Sequence, residues 1–270
     1  ETLVNKFSSF EKGLNGHAAT PLHQVRKQAL EAFNTLGFPT IKHEEWKYTN
    51  VAAAVKADYT LAQEEKLTSA DIEQFLIPGL EANILVFVNG VLDKNLSKII
   101  SSEKELIVKD LADAIDSETE LVNQYLGKLT DNKTEAFTAL STAYAQHGAF
   151  IKVPDNKVVE NPVLLLFIHD ARQGNTLVLP RNLFVIGKNA QVKVFENYHT
   201  LGTNISFTNA VTEIVVRQDA VVDYYKIQND TESAHFVGTT QVKQVEKSVF
   251  SAVTIPLSGG IVRNNLNLVL

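Results

Sequence analysis

The three histidines of the strand region and four of its carboxylates are the residue types from which a metal site or an acid–base pair could be built. His169, His199 and His235 never fall at the short spacing that lets a helix or turn present two ligands together. Each is expected to be a solvated loop residue. Glu196, Glu213, Asp219 and Asp223 would have to cluster to hold calcium, and they are spread along the chain, where outward charged faces are the expectation. In the first half, His43-Glu44-Glu45-Trp46-Lys47 places Lys47 where a helical zinc motif needs its second histidine. Ser258, in Pro256-Leu257-Ser258-Gly259-Gly260, lacks the glycine two residues earlier that a nucleophile elbow requires. No G-x-x-x-x-G-K-[ST] occurs, so nucleotide hydrolysis by this chain is not expected. With no cysteine, disulfides, zinc thiolates and an iron-sulfur cluster on the chain's own thiolates are excluded. The expectation is a chain without catalytic, cofactor-binding or metal-ligating residues, and no enzyme on its own. The sequons at Asn95, Asn132, Asn204 and Asn229 read as chance without a secretory route.

Composition narrows the class further. The 270 residues are 44% hydrophobic, enough to fill a core, and the net charge of −6 offers no basic stripe to a nucleic acid. No apolar run approaches a membrane span, and the N-terminus lacks the basic flank and apolar stretch of a secretory signal. A soluble, cytoplasmic protein is expected, with neither nucleic acid nor membrane as partner.

The elements that must position these residues follow from a repeat. Asn161-Pro162, Asn189-Ala190, Asp219-Ala220 and Lys247-Ser248 each pair a polar residue with a small one, at spacings of 28, 30 and 28 residues. After each step the alternate residues suit one face of a strand: Pro162, Leu164, Leu166; Ala190, Val192, Val194; Ala220, Val222, Tyr224; Ser248, Phe250, Ala252. A second strand precedes the last three steps, at 183–186, 211–216 and 240–245. One strand-turn-strand unit cannot bury its apolar face alone, so the units must stack. The fold predicted is mainly β, a right-handed parallel β-helix with a column of small residues at one corner. The rival is a β-sandwich of regular strand spacing.

Ahead of the repeat the pattern is helical. Thr20 as N-cap, Pro21 at the first position, the stripe Leu22, Val25, Ala29, Phe33 and Leu36, and Gly37 as the stop mark a helix; residues 3–14 read as a shorter one. Trp46 and Tyr48 are expected to anchor a turn against that first helix. A lysine- and glutamate-rich helical stretch carries Thr68 and Asp71 in capping-box spacing. Residues 84–92 read as a hairpin about Asn89-Gly90, and 106–108 as a possible strand. Helices follow at 118–126 and 134–147, the second stopped by Gly148. Two domains result: 1–147, mainly helical with the short hairpin, and 148–270, the β-helix. The last run, 261–270, is strand-like and uncapped, so further rungs and a helical cap are expected beyond Leu270. An uncapped rung would also invite pairing with another chain, a second copy included.

Three stretches together resemble the SufB/SufD family of iron-sulfur cluster assembly scaffolds, in its SufD branch. Pro39, Glu45 and Trp46-Lys47-Tyr48-Thr49 match an N-terminal signature of that family; Phe137 to Gly148 with Ile151 to Pro162 is similar to its entry into a β-helix; Gly259-Gly260 with Arg263-Asn264 is similar to one of its rungs. The resemblance implies a scaffold that pairs with a SufB-like paralogue through the β-helix and with a SufC-like ATPase through a C-terminal helical region. It implies no cofactor on this chain: the cluster is assembled by the complex and ATP is bound by the SufC-like partner. Arg263 and Asn264 read as corner residues holding a rung. The rival functions are a β-helix enzyme or binder acting on polysaccharide, which would line a groove with aromatics, and a SufB paralogue.

Overall fold

The computed structural model describes residues 3–14, 20–61 and 66–270. Its first half runs α1 (Leu3–Lys12), α2 (Pro21–Leu36), α3 (Ala52–Lys56), β1 (Thr60–Leu61), α4 (Ser69–Ile72), β2 (Asn83–Val88), β3 (Val91–Lys98), β4 (Ile107–Asp110), α5 (Leu111–Ser117), α6 (Thr119–Tyr125) and α7 (Ala136–Ala143). Strands then follow without a further helix: β5 (Ala149–Val153), β6 (Val163–Asp170), β7 (Thr176–Val178), β8 (Arg181–Ile186), β9 (Gln191–Leu201), β10 (Ser206–Val216), β11 (Val221–Asn229), β12 (Ala234–Gln244), β13 (Val249–Ser258) and β14 (Val262–Val269).

Stacking is carried by parallel pairing between strands about thirty residues apart. In one sheet β6, β9, β11 and β13 lie side by side; in the other β8, β10, β12 and β14 do. Val221 sits opposite both Gln191 and Val249, which lines up Ala190, Ala220 and Ser248 just before them. This is the predicted solenoid, of about four turns. Asn189, Asp219 and Lys247 turn the corner in left-handed backbone, with φ of 53°, 57° and 59°, a conformation that short polar side chains tolerate better than most.

The first corner differs from expectation. Asn156, not Asn161, takes the left-handed position (φ 62°), and its amide N–H donates to the Lys188 carbonyl of the next rung. Val158 pairs with Gln191 and Val163 with Val194, so five residues on this rung span what three span on the next. The two extra residues bulge out just before Pro162, which cannot donate to a ladder and stands immediately ahead of β6.

Between the sheets the side chains form one continuous core, including Phe87, Phe167, Val194, Ile214, Val222 and Tyr224. The chain ahead of residue 148 joins it directly. Asn89 and Gly90, both at positive φ, make the predicted hairpin of β2 and β3, and β2 continues the sheet parallel to β6. β4 adds antiparallel to β5, and β1 pairs with β7.

Helices cover the outer face of the second sheet. The α2 punctuation is as predicted: the Thr20 hydroxyl accepts the His23 amide, and Gly37 ends the helix at φ 63°. Its buried face holds Leu22, Ala29 and Phe33, and also His23 and Arg26, whereas Leu36 stays exposed. The capping box of Thr68 and Asp71 starts α4; the rest of that predicted helical stretch, at 62–65, lies outside the described residues. α7 is shorter than predicted, and Gly148 lies past its end. There a Cβ would come within 2.2 Å of the Arg181 carbonyl oxygen, so the glycine is required by a crossing strand.

Candidate functional site

Alternation along β9 and β11 carries inward past Val194 and Tyr224 to two charged residues, Glu196 and Lys226, both buried. The Glu196 carboxylate lies 3.5 Å from the Lys226 ammonium and accepts from Tyr198 (3.1 Å) and Thr212 (3.2 Å). Asn182 donates to the Thr212 hydroxyl at 3.0 Å, and Lys226 donates to the Thr240 hydroxyl at 3.2 Å. The result is a polar thread through successive rungs, each polar group partnered by one on a neighbouring strand, as a low-dielectric interior demands. Above it Phe87, Phe167 and Tyr198 stack at 4.8 Å intervals, and Phe236 meets Tyr198 edge-on at 4.7 Å. These aromatics fill the lumen; they line no outer groove.

A second buried pair holds the helical layer to the solenoid. Glu213 points outward from β10, yet it is fully enclosed by the turn after α6. Its carboxylate takes the Arg181 guanidinium at 2.8 Å and the amides of Gly127, Leu129 and Thr130 at 2.8, 2.9 and 3.3 Å. Arg181 also donates to the Thr130 hydroxyl at 3.1 Å. Expected as outward charges, Glu196 and Glu213 are therefore interior groups; Asp219 and Asp223 stay partly exposed at a corner and on an outer strand face.

The three histidines are strand residues, not solvated loop residues. Burial, with a smaller push from His199, drives His169 down to about 3, and Thr208 offers its hydroxyl to Nδ1 at 2.9 Å. Burial takes His199 down to about 4, against an opposing backbone hydrogen bond, while its ring stacks on Phe75 at 4.3 Å. Burial likewise lowers His235, whose Nδ1 accepts the Ile261 amide. Among the described residues no group of three or more histidines and carboxylates is placed to hold a metal ion.

Arg263 ties the last rung to the N-terminal half. Its guanidinium lies 3.9 Å from the centre of the Trp46 ring and donates to the Glu45 carbonyl at 2.6 Å and the Asn265 side chain at 3.0 Å. Trp46 is buried against Phe137, 5.1 Å away, with Val51 and Phe207 around it, while Tyr48 is 92% exposed. Trp46 alone is thus the anchor, and its wall is α7 and the solenoid, not α2. Asn264 donates to Gln228 at 2.7 Å inside the lumen. Arg263 and Asn264 both sit within β14, away from any corner, and hold the rung from its two faces.

Two stretches far apart in sequence, 45–49 and 259–264, thus form one contact. A family model described as the SufBD protein N-terminal region matches residues 1–165, and one described as the SUF system FeS cluster assembly, SufBD core domain, matches residues 167–270. The chain belongs to the SufBD family. An iron-sulfur cluster assembly SufBD family protein of Synechocystis sp. is 28% identical over 263 residues, covering 94% of this chain and 58% of its own length. Iron-sulfur cluster assembly proteins SufD of Bacillus subtilis and Escherichia coli are 28% and 23% identical, covering 77% and 88% of this chain and 48% and 54% of their own lengths. The chain spans about half the length of the curated relatives it matches. Its likeness is to SufD-named members, and no helix of the described residues is long and apolar enough to cross a membrane.

Sequence reasoning missed Glu196 and Lys226, although alternation carried the signal: each continues an inward apolar set by one step, after Val194 and after Tyr224. Glu213 and Arg263 gave no such signal, since their partners lie more than 30 and more than 200 residues away.

Proposed function

We propose that this SufBD chain is a non-catalytic scaffold of a SUF-type cluster assembly complex. It pairs through its β-helix with a SufB-like paralogue and works with a SufC-like ATPase. The nascent iron-sulfur cluster is cargo of the complex, and ATP is bound by the ATPase partner in the cytoplasm. The observation that carries this reading is the pairing of two SufBD family matches across the chain with an interior whose charged groups face one another. Glu196, Lys226, Arg181 and Glu213 are spent on holding rungs and helices together, which suits a stiff support and leaves them no substrate to act on. The lumenal position of the Phe87–Phe167–Tyr198 stack takes those rings out of reach of a polysaccharide. Affinity purification of the full-length protein from its own cells tests the reading: SufB-like and SufC-like proteins should co-purify in stoichiometric amounts. Recovery of neither would overturn it.

A further inference from the structure

A cleft of about 640 Å³ opens on the outer side of the second sheet, between the α5–α6 junction and the ends of β5 and β8. That volume is within the range of small-ligand sites. Gly187 is among its lining residues and lies tight against the neighbouring rung, where a side chain would strike the Asp155 amide and carboxylate at 2.6 Å. Leu121 and Pro154, both half-buried, give the cleft its apolar surface.

The charges around the cleft are unequally occupied. Lys152 and Lys109 both bind Glu118, at 3.0 and 3.4 Å. Burial pushes the Glu118 carboxyl up, but these two lysines outweigh it and hold it below the usual carboxylate range. Asp155 accepts the Lys188 amide at 2.8 Å, and Glu120 is exposed at the rim. Arg217, half-buried at the far end, has no side-chain hydrogen bond or ion pair with any described residue. A guanidinium presents a planar fork of donors matched to a carboxylate, and beside apolar walls such a pair is strengthened by exclusion of water.

We infer that this cleft binds a carboxylate flanked by apolar groups, with Arg217 as its anchor. That chemistry has two sources, the glutamate or aspartate of a partner protein's segment and a free small dicarboxylate. Fluorescence anisotropy on the full-length protein, with a fluorescein-labelled acetyl-Leu-Val-Glu-amide peptide as probe and succinate as competitor, tests it. Saturable binding of the peptide, or of succinate by calorimetry, should weaken about ten- to hundredfold in Arg217→Gln. It should be partly recovered in Arg217→Lys and unchanged in Lys247→Gln, with the thermal midpoint of each variant confirming the fold. Tighter binding of the peptide assigns the site to a protein partner; tighter binding of succinate assigns it to a free acid. Absence of saturable binding by both probes, binding indifferent to Arg217→Gln, or equal displacement by inorganic phosphate would overturn the inference.

Discussion

Glu213 serves five donors from two segments, the 127–130 turn and β8, so its loss should be felt more than that of any surface carboxylate. Glu213→Ala strands Arg181 in the interior and releases the 127–130 turn; a destabilisation of about 3–5 kcal/mol is expected from breaking a buried pair, read as a lowered denaturant midpoint. His169 adds a pH dependence with a definite sign. In the unfolded chain its imidazole takes a proton near the ordinary 6.5, whereas the fold refuses one until about 3. The stabilising preference for neutral His169 is thus full above pH 6.5 and is lost as pH falls from 6.5 toward 3, with His199 and His235 acting in the same direction. One proton's difference is worth about 1.4 kcal/mol per pH unit. His169→Gln should flatten the stability curve between pH 6 and 4 by up to that slope; an unchanged slope would show that His169 titrates freely in the folded protein.

At the scale of elements, the corners decide the rung. Lys247 adopts φ 59° without the short polar side chain that eases this conformation at Asn189 and Asp219. Lys247→Gly should therefore raise stability by about 0.5–1 kcal/mol and Lys247→Val should lower it, as followed by thermal unfolding. The same corners explain what was legible in the sequence. A polar residue before a small one, recurring with alternating strands, is a local signal, and it located three corners, the strands after them and the α2 caps. The fourth failed because two extra residues before Pro162 break the period, and a bulge leaves no mark that composition can show. Histidines such as His199 looked like loop residues because alternation fixes a side, while whether that side is covered depends on groups such as Phe75 packing from elsewhere. The Trp46–Arg263 contact is tertiary throughout, so neither partner could announce the other.

For the molecule as a whole, the proposed scaffold role calls for stiffness, and stiffness comes from coils that share hydrogen-bond ladders and a polar thread. Strands ahead of residue 148 extend both sheets, and Arg263 clamps the β14 rung onto the Trp46 turn, so the helical layer and the solenoid act together. This is the property a SufBD subunit needs if partners are to be held in fixed relation, and it rests on the stacking register. The chain's lack of cysteine allows that register to be measured directly. Asp223 and Ser251 are paired across adjacent rungs, so their Cα atoms stand about 4.8 Å apart, within disulfide reach. In the full-length protein, Asp223→Cys with Ser251→Cys should form an intramolecular disulfide under mild oxidation, while Asp223→Cys with Ile255→Cys, four residues out of register, should remain reduced. Free thiols in the first pair, or equal cross-linking in both, would contradict the stacked solenoid on which the functional reading stands.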